Sequence, residues 1–476
     1  MAASCVWEEL SLTEQPDFLG SMTLEQLQTY DRQHHMHSFT DPSALKQAPP
    51  FIIDSAEGCY VTGQNIKLLD AMAGLGCVNI GYGRKELAEA AEHVLSKLSY
   101  YHSFAAVTNP YAASLAKKIA DLSPEGMNKV FMANSGSEAV ETALKLVSLY
   151  WQKKGEPNRK AIITREYAYH GSTIATAALN GNEEMATQFG YAEPAPILRA
   201  KSPYWYREGG DMTPEEFGLA AARSVEEVIL QAGPENVAAF IGEPVQGTMG
   251  IIIPPASYWP EVERICRKYE VLLIADEVVS GFGRTGHWFG QQAFGFKADI
   301  MTLAKGLSSS YLPVAATVIS DDMAAVMEDN MGLLQHGFTT SGHPVTCAVA
   351  LKNLILIEEE GMVDAIRDDK GPYFEQVLKN ALADHPLVGE VRVSGLMAAI
   401  ELAKDKTTRE QYPLELAICD HVGQAALMRG LIARPTGNVI VMCPPFIISH
   451  AEMDMIASVL KEACNDIHAA IQGQAG

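Results

Sequence analysis

Six short apolar segments, each next to a stretch of helical periodicity, constrain the fold of this chain more than any other feature. They lie in KVFMANSGSEAVETALKLVSLYW, KAIITREYAYHGS, NVAAFIGEPVQG, VLLIADEVVSGFG, DIMTLAKGLSS and PVAATVIS. Each segment is apolar over about five residues without alternating with polar residues, as in strands that are buried on both faces. Amphipathic helices between such strands predict a parallel sheet covered on both sides, so the predicted fold class is α/β.

The pattern changes at about Thr346, after which long helical stretches surround short strands such as EVRVSG, MAAIEL and VIVMCPP. This change predicts a second, smaller α+β domain. Near the other end of the chain, GCYVTGQNIKLLDAMAG predicts a hairpin that turns at Gly63, Gln64 and Asn65 and packs on the small domain. The predicted division is an N-terminal segment, 1–80, that joins the small domain, a large domain, 81–345, and a C-terminal small domain, 346–476.

The charge balance excludes several classes of partner. The 476 residues carry a formal net charge of -22, which disfavours attraction to nucleic acid or to an anionic membrane surface. No apolar run approaches the roughly 18–20 residues that span a bilayer, and the acidic start MAASCVWEELSLTEQPDF does not resemble a secretion signal. The predicted location is cytoplasmic.

Metal and disulfide sites are not predicted. The 8 cysteines are scattered without a CxxC pair. His34, His35 and His37 are close in sequence, but no carboxylate or cysteine set completes a group of ligands. We therefore predict no metal.

The spacing of Gly281, Gly283 and Gly286 in GFGRTG matches a dinucleotide-binding motif, but its context does not. A dinucleotide loop needs a strand, then the glycines, then a long helix, with an acid about 20 residues further on. Here HWFGQQAFGFKAD follows Gly286 and predicts a short helix at most. We interpret this stretch as a structural turn.

A better anion site is predicted where NKVFMA, a strand, turns through NSGSE into a helix. Ser135, Gly136 and Ser137 would lie at the start of that helix, where free backbone N–H groups and the positive end of the helix dipole attract a phosphate. The alternative is that Ser135 or Ser137 only caps the helix, with Glu138 in its first turn.

Two further strands end in charged residues. Asp276 follows VLLIA and Lys305 follows DIMTLA, and the carboxyl ends of parallel strands are where ligands bind in open α/β sheets. The alternative is a buried ion pair between these two side chains. Together with the phosphate turn, however, an acid for a protonated ring nitrogen and an amine for an aldehyde suit one molecule, pyridoxal phosphate. Tyr169 is a candidate to stack on its ring.

Several motifs resemble those of the class III aminotransferases of fold type I, and most closely the pyruvate-dependent ω-amine transaminases. They are NSGSEAVETALKL, YHGST, GEPVQG, IADEVVSGFGRTG, LAKGLSSSYLP and HGFTTSGHP, and the resemblance extends over nearly the whole chain. It implies a large domain with a mainly parallel seven-stranded sheet, a small domain formed by both chain ends, and a homodimer.

The resemblance also implies the residue roles. Lys305 would form an aldimine with the cofactor, Asp276 would hold the pyridinium, and Thr339 would reach the phosphate in the partner's active site. The cofactor-binding set implied by the motifs is Ser135, Gly136, Ser137, Tyr169, His170, Glu243, Asp276, Val278, Lys305 and Thr339.

The implied reaction is a ping-pong transfer, through aldimine and ketimine, of an amino group from a primary amine donor to a keto acid acceptor such as pyruvate. Lys305 would move the proton as base and then acid. The alternatives are another class III enzyme of pyridoxal phosphate, such as an aminomutase or a decarboxylase, and a noncatalytic binding protein of the same fold.

Four residues are predicted to contact the substrate. Arg434 corresponds to an arginine that switches between binding a carboxylate and swinging away. Many relatives carry a tryptophan at the position of Gly76 and a tyrosine at that of Thr340, so we expect a roomier entrance here. Alternatively Phe104, the fourth candidate, or Trp205 could fill the space at Gly76.

Overall fold

The computed structural model describes residues 22–47, 49–190, 195–328 and 332–474. The prediction that there is no secretion signal depends on the acidic start of the chain. These residues lie outside the described ranges. The strands are β1 (Ser55–Glu57), β2 (Tyr60–Gly63), β3 (Ile66–Asp70), β4 (Met127–Ala133), β5 (Ala161–Arg165), β6 (Ile197–Ala200), β7 (Val237–Gly242), β8 (Leu272–Asp276), β9 (Ile300–Leu303), β10 (Ala315–Ser320), β11 (Val388–Ser394), β12 (Met397–Leu402), β13 (Leu431–Ile432), β14 (Arg434–Thr436) and β15 (Val439–Met442).

Helices alternate with these strands through most of the chain. They are α1 (Leu24–His34), α2 (Pro42–Gln47), α3 (Ala73–Gly76), α4 (Lys85–Lys97), α5 (Pro110–Leu122), α6 (Gly136–Lys153), α7 (Ile174–Ala178), α8 (Glu183–Thr187), α9 (Trp205–Glu208), α10 (Pro214–Ala232), α11 (Tyr258–Lys268), α12 (Gly290–Phe294), α13 (Asp321–Glu328), α14 (Pro344–Glu359), α15 (Met362–Ala365), α16 (Gly371–Leu382), α17 (Ile418–Leu427) and α18 (His450–Gln474). None of the helices in the described ranges is both long and apolar enough to cross a membrane.

The central sheet has seven strands in the order β4-β10-β9-β8-β7-β5-β6. Its neighbours pair in parallel except at β10, which is antiparallel to both β4 and β9. The predicted α/β fold with a mainly parallel seven-stranded sheet is therefore confirmed. All six predicted strands are present, whereas β6 was not predicted, since it is a four-residue edge strand with a polar residue, Arg199.

Helices cover both faces of this sheet, which explains the uninterrupted apolar strands. On one face, α10 and α11 pack through Phe217, Val225 and Trp259 against β7 and β8. On the other face, α6 packs through Val140, Ala143 and Val147. Each face buries its own apolar cluster, so β7 and β8 are buried at every residue.

The two ends of the chain meet in the smaller sheets. Strands β1, β2 and β3 form a sheet with β13, while β11, β12, β15 and β14 form an antiparallel sheet. The predicted hairpin joins β2 to β3, and Gln64 and Asn65 adopt positive φ angles of 52° and 61° in its two-residue turn. The domain division at about residues 80 and 345 stays a prediction, which the pairing of β3 with β13 supports.

The GFGRTG stretch is a turn that connects parts of the chain far apart in sequence. The buried Arg284 donates from Nη2 to Oδ1 of Asn79 over 2.6 Å and from Nη1 to the carbonyl oxygens of Leu396 and Pro444. The helix that follows, α12, has five residues. The interpretation as a structural turn is confirmed.

Candidate active site

The carboxyl ends of β8 and β9 bring the two predicted charged residues to the same edge of the sheet. Asp276 is the last residue of β8 and pairs in register with Thr302 of the parallel strand β9. Lys305 follows the end of β9 and adopts a φ of 45°, which is unfavourable for a residue with a side chain. Tertiary packing has to stabilise this backbone, and such strain is concentrated at functional sites.

Three hydrogen bonds compensate for the burial of the Asp276 carboxylate. Its Oδ2 lies 2.7 Å from Nδ1 of His170, and its Oδ1 accepts hydrogen bonds from Oγ1 of Thr302 at 3.1 Å and from the backbone N–H of Val278 at 3.2 Å. A buried carboxylate is costly without such partners. The donors also fix the orientation of the carboxylate toward the cleft that it lines.

The Lys305 amine is not tied to Asp276. Within the described ranges we find no hydrogen bond or ion pair of its Nζ, so the predicted alternative of a buried Asp–Lys pair is not observed. Burial lowers the pKa of this amine, the Arg434 guanidinium lowers it further, and the Asp276 carboxylate only partly opposes these effects. A lowered pKa increases the neutral, nucleophilic fraction of a lysine.

The turn between β4 and α6 contributes both a helix cap and polar groups that line the cleft. Ser135 caps α6 by accepting a hydrogen bond from the backbone N–H of Glu138 at 3.2 Å, as in the capping alternative. Gly136 and Ser137 line the cleft next to it. A Cβ added at Gly136 would lie 3.2 Å from Cγ1 of Val278, so a side chain here would crowd the cleft.

These elements enclose an open cleft with a cavity volume of about 180 Å³. The predicted residues that line it are Gly136, Ser137, Tyr169, His170, Glu243, Asp276, Val278 and Lys305. Five further residues line it that were not predicted, namely Gly171, Gly247, Thr248, Val279 and Ala304. Each of the five lies in a quoted motif or directly after one, so the motifs could have indicated them.

Glu243, which follows β7, positions the loop that carries Tyr169. Its Oε1 accepts a hydrogen bond from the Tyr169 backbone N–H at 3.0 Å, and its Oε2 accepts one from Nη2 of Arg165 at 3.1 Å. Glu243 therefore orients Tyr169 within the cleft wall. By contrast, Nε2 of the buried His170 has no hydrogen-bond partner among the described residues, since the Glu243 carboxylate is 3.7 Å away.

Arg434 and Gly76 are adjacent to residues of the cleft wall. Nη1 of Arg434 donates a long hydrogen bond, 3.4 Å, to the carbonyl oxygen of Thr248. Gly76 has a φ of 69°, and the atoms nearest to a Cβ added there belong to Val279 and Cys443, each at 3.7 Å. These are ordinary contacts, so the position has room for a Cβ but an unfavourable backbone conformation for one.

Neither Phe104 nor Trp205 provides the atoms closest to Gly76. Phe104 is 44% exposed and packs near Gly337. The indole N–H of Trp205 donates to the carbonyl oxygen of Met212 at 2.8 Å. Neither ring therefore lies directly beside Gly76 in the same chain, and the alternative that one of them fills the space of the missing tryptophan stays a prediction.

The structure does not bring Thr339, Thr340 or Phe104 into the cleft lining of the same chain. The Thr339 carbonyl accepts a hydrogen bond from the Tyr100 hydroxyl at 2.7 Å. Oγ1 of Thr340 donates to Oδ1 of Asn134, in the turn between β4 and α6, at 2.9 Å. The roles of these three residues stay predictions.

The histidines near the N-terminus have a carboxylate partner that the sequence did not reveal. Asp31 contacts both His35 and His37 through its two oxygens, whereas His34 is not part of this group. The reason given for predicting no metal, the lack of a carboxylate, is therefore wrong.

Comparisons with known proteins agree with this geometry. The family model described as aminotransferase class-III matches residues 43–464. The chain is 44% identical over 445 residues to a putrescine–pyruvate aminotransferase of Pseudomonas aeruginosa, covering 93% of this chain and 97% of that protein. All residues that line the cleft fall within these matched lengths.

Two solved structures have the same fold over nearly their whole length. An (S)-enantioselective omega-transaminase from Thermomicrobium roseum matches with a TM-score of 0.90 at 39% identity, covering 93% of this chain and 99% of that one. The omega transaminase of Pseudomonas jessenii, in complex with PMP, matches with a TM-score of 0.90 at 39% identity, covering 94% and 99%.

Proposed function

Because the chain belongs to the class-III aminotransferases, which use pyridoxal phosphate, we propose that it transfers the amino group of a primary amine to a keto acid such as pyruvate. An amine donor and a keto acid acceptor are the small-molecule substrates of this enzyme class. The observation that supports the proposal most strongly is the meeting of Lys305, Asp276 and the start of α6 at one cleft.

The residues of the cleft suit the cofactor. The N-terminus of α6 with Gly136 and Ser137 offers N–H and hydroxyl groups to a phosphate, and the lack of a Cβ at Gly136 keeps that space open. Asp276 is the carboxylate for the ring nitrogen, and Val278 and Tyr169 are the side chains for the two ring faces. When bound, the cofactor supplies an electron sink for the electrons released at the substrate carbon.

Lys305 is the proposed anchor of the cofactor aldehyde and the proposed base. Its unpaired amine, with a pKa lowered by burial, removes a proton from the carbon that bears the amino group and later returns one. The buried carboxylate of Asp276 favours a positively charged ring nitrogen, because an opposite charge in a buried site raises the pKa of that nitrogen. His170 and Thr302 hold this carboxylate in place.

The donor is proposed to be a primary amine whose amino group is remote from a carboxylate, including diamines such as putrescine, the substrate named for the Pseudomonas aeruginosa relative. The test is a panel of putrescine, β-alanine, an arylalkylamine and taurine with pyruvate, measured as alanine formed. Alanine from at least one of these amines is expected. No alanine from any donor, together with amine migration or carbon dioxide release, would favour an aminomutase or a decarboxylase.

We expect Arg434→Ala to weaken the use of pyruvate more than the use of an arylalkylamine, which has no carboxylate. The guanidinium is next to Thr248 at the cleft, where it can bind the carboxylate of the keto acid. Hydrogen bonds to charged groups contribute about 1.5–3 kcal/mol, so the KM for pyruvate should rise by about tenfold or more. The measurement is steady-state kinetics with each substrate varied in turn.

The matched control is Arg429→Ala, which removes an arginine that pairs with Glu462 and Asp466 away from the cleft. It should leave both KM values near those of the parent enzyme. An unchanged KM for pyruvate in Arg434→Ala would rule out its role as the carboxylate ligand.

We expect Gly76→Trp to lower the ratio of kcat/KM for a bulky arylalkylamine to that for a short alkylamine by about tenfold, because the ring would occupy space beside Val279. The control is Gly76→Ala, which introduces the same unfavourable φ without the ring. Gly76→Ala should lower kcat/KM for both amines alike and preserve the ratio between them. Equal ratios in all three proteins would contradict a roomier entrance.

A homodimer is also proposed, with Thr339 and Phe104 of one subunit completing the site of the other. Support comes from one segment that exposes the rings of Tyr100, Tyr101 and Phe104. The Tyr100 hydroxyl donates a hydrogen bond to the Thr339 carbonyl, which links this segment to Thr339. A sedimentation-equilibrium mass of a single chain would contradict the homodimer.

The proposed location is the cytoplasm, which the free thiols of the described cysteines support. Recovery of the protein outside the cytoplasm on cell fractionation would contradict this location.

A further inference from the structure

A cluster of two imidazoles and one carboxylate lies outside the cleft, where α1 ends. Asp31 is in α1, His35 is one turn further on at the position that ends the helix, and His37 is in the segment that follows. Nδ1 of His35 is 2.8 Å from Oδ1 of Asp31, and Nε2 of His37 is 2.6 Å from Oδ2. One potential ligand atom of each residue lies within 4.8 Å of the other two.

We propose that Asp31, His35 and His37 bind one divalent first-row transition cation such as Zn²⁺. Imidazole nitrogen is a preferred ligand of zinc, copper and nickel, and two histidines with one carboxylate leave further positions for water. Hard cations such as Mg²⁺ prefer oxygen ligands and do not suit this set.

The binding geometry requires only small movements. At metal–ligand distances of about 2.0–2.2 Å, tetrahedral ligand atoms are separated by about 3.3–3.5 Å, so both Asp31 contacts open by less than about 1 Å and the two imidazole nitrogens approach each other by at most about 1.5 Å. The side chains of His35, His37 and Asp31 are 65%, 26% and 21% exposed, so little packing opposes such a movement.

The hydrogen bonds of the cluster also show which atoms would bind the cation, since Nδ1 of His35 and Nε2 of His37 each face an oxygen of Asp31. When the cation binds, it takes the place of the protons between the imidazole nitrogens and the Asp31 carboxylate. Each neutral imidazole then carries its proton on the ring nitrogen that does not bind the cation. The cation would link the last turn of α1 to the segment after it.

The test is equilibrium dialysis of the tag-free, full-length holoenzyme against Zn²⁺ after chelator treatment, with bound metal measured by elemental analysis. We expect about one Zn²⁺ per chain more than in the double variant H35A/H37A, and affinity reduced by about tenfold or more in D31N, since a three-ligand site loses a charged ligand. The double variant provides the baseline for binding to cysteines and other groups.

The matched control is H34A, which removes the neighbouring histidine that is not in the cluster. It should bind Zn²⁺ like the parent enzyme, and all variants should keep parental transaminase activity and circular dichroism, which shows that they fold. Equal Zn²⁺ binding by the parent and by H35A/H37A would overturn the proposal. So would Mg²⁺ binding at the same site with similar affinity.

Discussion

Lys305→Ala is expected to reduce kcat for alanine formation by about 10³-fold or more, because it removes the proposed base, and general acid–base catalysis contributes about 10²–10⁴-fold. No other lysine lines the cleft in the part of the chain that the structure describes, and Arg434 beside it remains protonated. The measurement is steady-state turnover with saturating amine and pyruvate. A second readout is borohydride treatment, which should attach the cofactor to a peptide containing Lys305 in the parent enzyme and to none in the variant.

The control for this prediction is Lys297→Ala. Lys297 precedes the amino-terminal end of β9, whereas Lys305 follows its carboxyl end. The Lys297 side chain is exposed near Gly126, so its loss should leave kcat and cofactor attachment unchanged. Turnover in Lys305→Ala at a tenth of the parental rate or above would refute the assignment of the base. Cofactor attachment at another lysine would refute the assignment of the anchor.

Asp276→Asn is expected to lower the rate of the amine half-reaction by about 10–10³-fold while cofactor stays bound, since a neighbouring opposite charge shifts a pKa by about 1–3 units. Asparagine has nearly the same shape and can still bond to His170 and Thr302, so the change removes mainly the negative charge. The measurement is the single-turnover rate of loss of the cofactor's visible absorbance on mixing with amine.

A matched acid-to-amide control is Asp299→Asn, at the amino-terminal side of β9. Asp299 pairs with Arg267 and accepts a hydrogen bond from the Leu273 backbone N–H at the end of β8 opposite the cleft, and its conversion should change the half-reaction rate by less than about twofold. A parental rate in Asp276→Asn would show that the charge at this position is not needed. Loss of bound cofactor without a change in rate per bound cofactor would assign Asp276 to binding alone.

The strand pattern predicted six of the seven strands of the central sheet, because burial on both faces requires apolar residues at every position, but it did not predict that β10 is antiparallel to β4 and β9. It missed β6, since an edge strand is partly exposed and carries Arg199. The strand ends were equally informative. Parallel neighbours direct their carboxyl ends to the same edge, so Asp276 and Lys305 could be predicted to meet there before their partners were known.

Predictions that depended on side-chain partners were less complete. The sequence left open whether Ser135 caps α6 or faces a ligand, and the structure has it capping. The i, i+4 spacing of Asp31 and His35 suits one helix face, but the position of His37 beside them had no such signal, because the chain leaves α1 before it.

The sequence by itself determined the order of strands and helices, and with it the edge of the sheet that carries Asp276 and Lys305, because local periodicity and strand direction depend on neighbouring residues. Only the tertiary structure decided that Lys305 is unpaired, that His170 and Thr302 hold Asp276, and what surrounds Gly76. These contacts join residues that are distant in sequence, so they depend on how loops close and how elements pack, which no local pattern specifies.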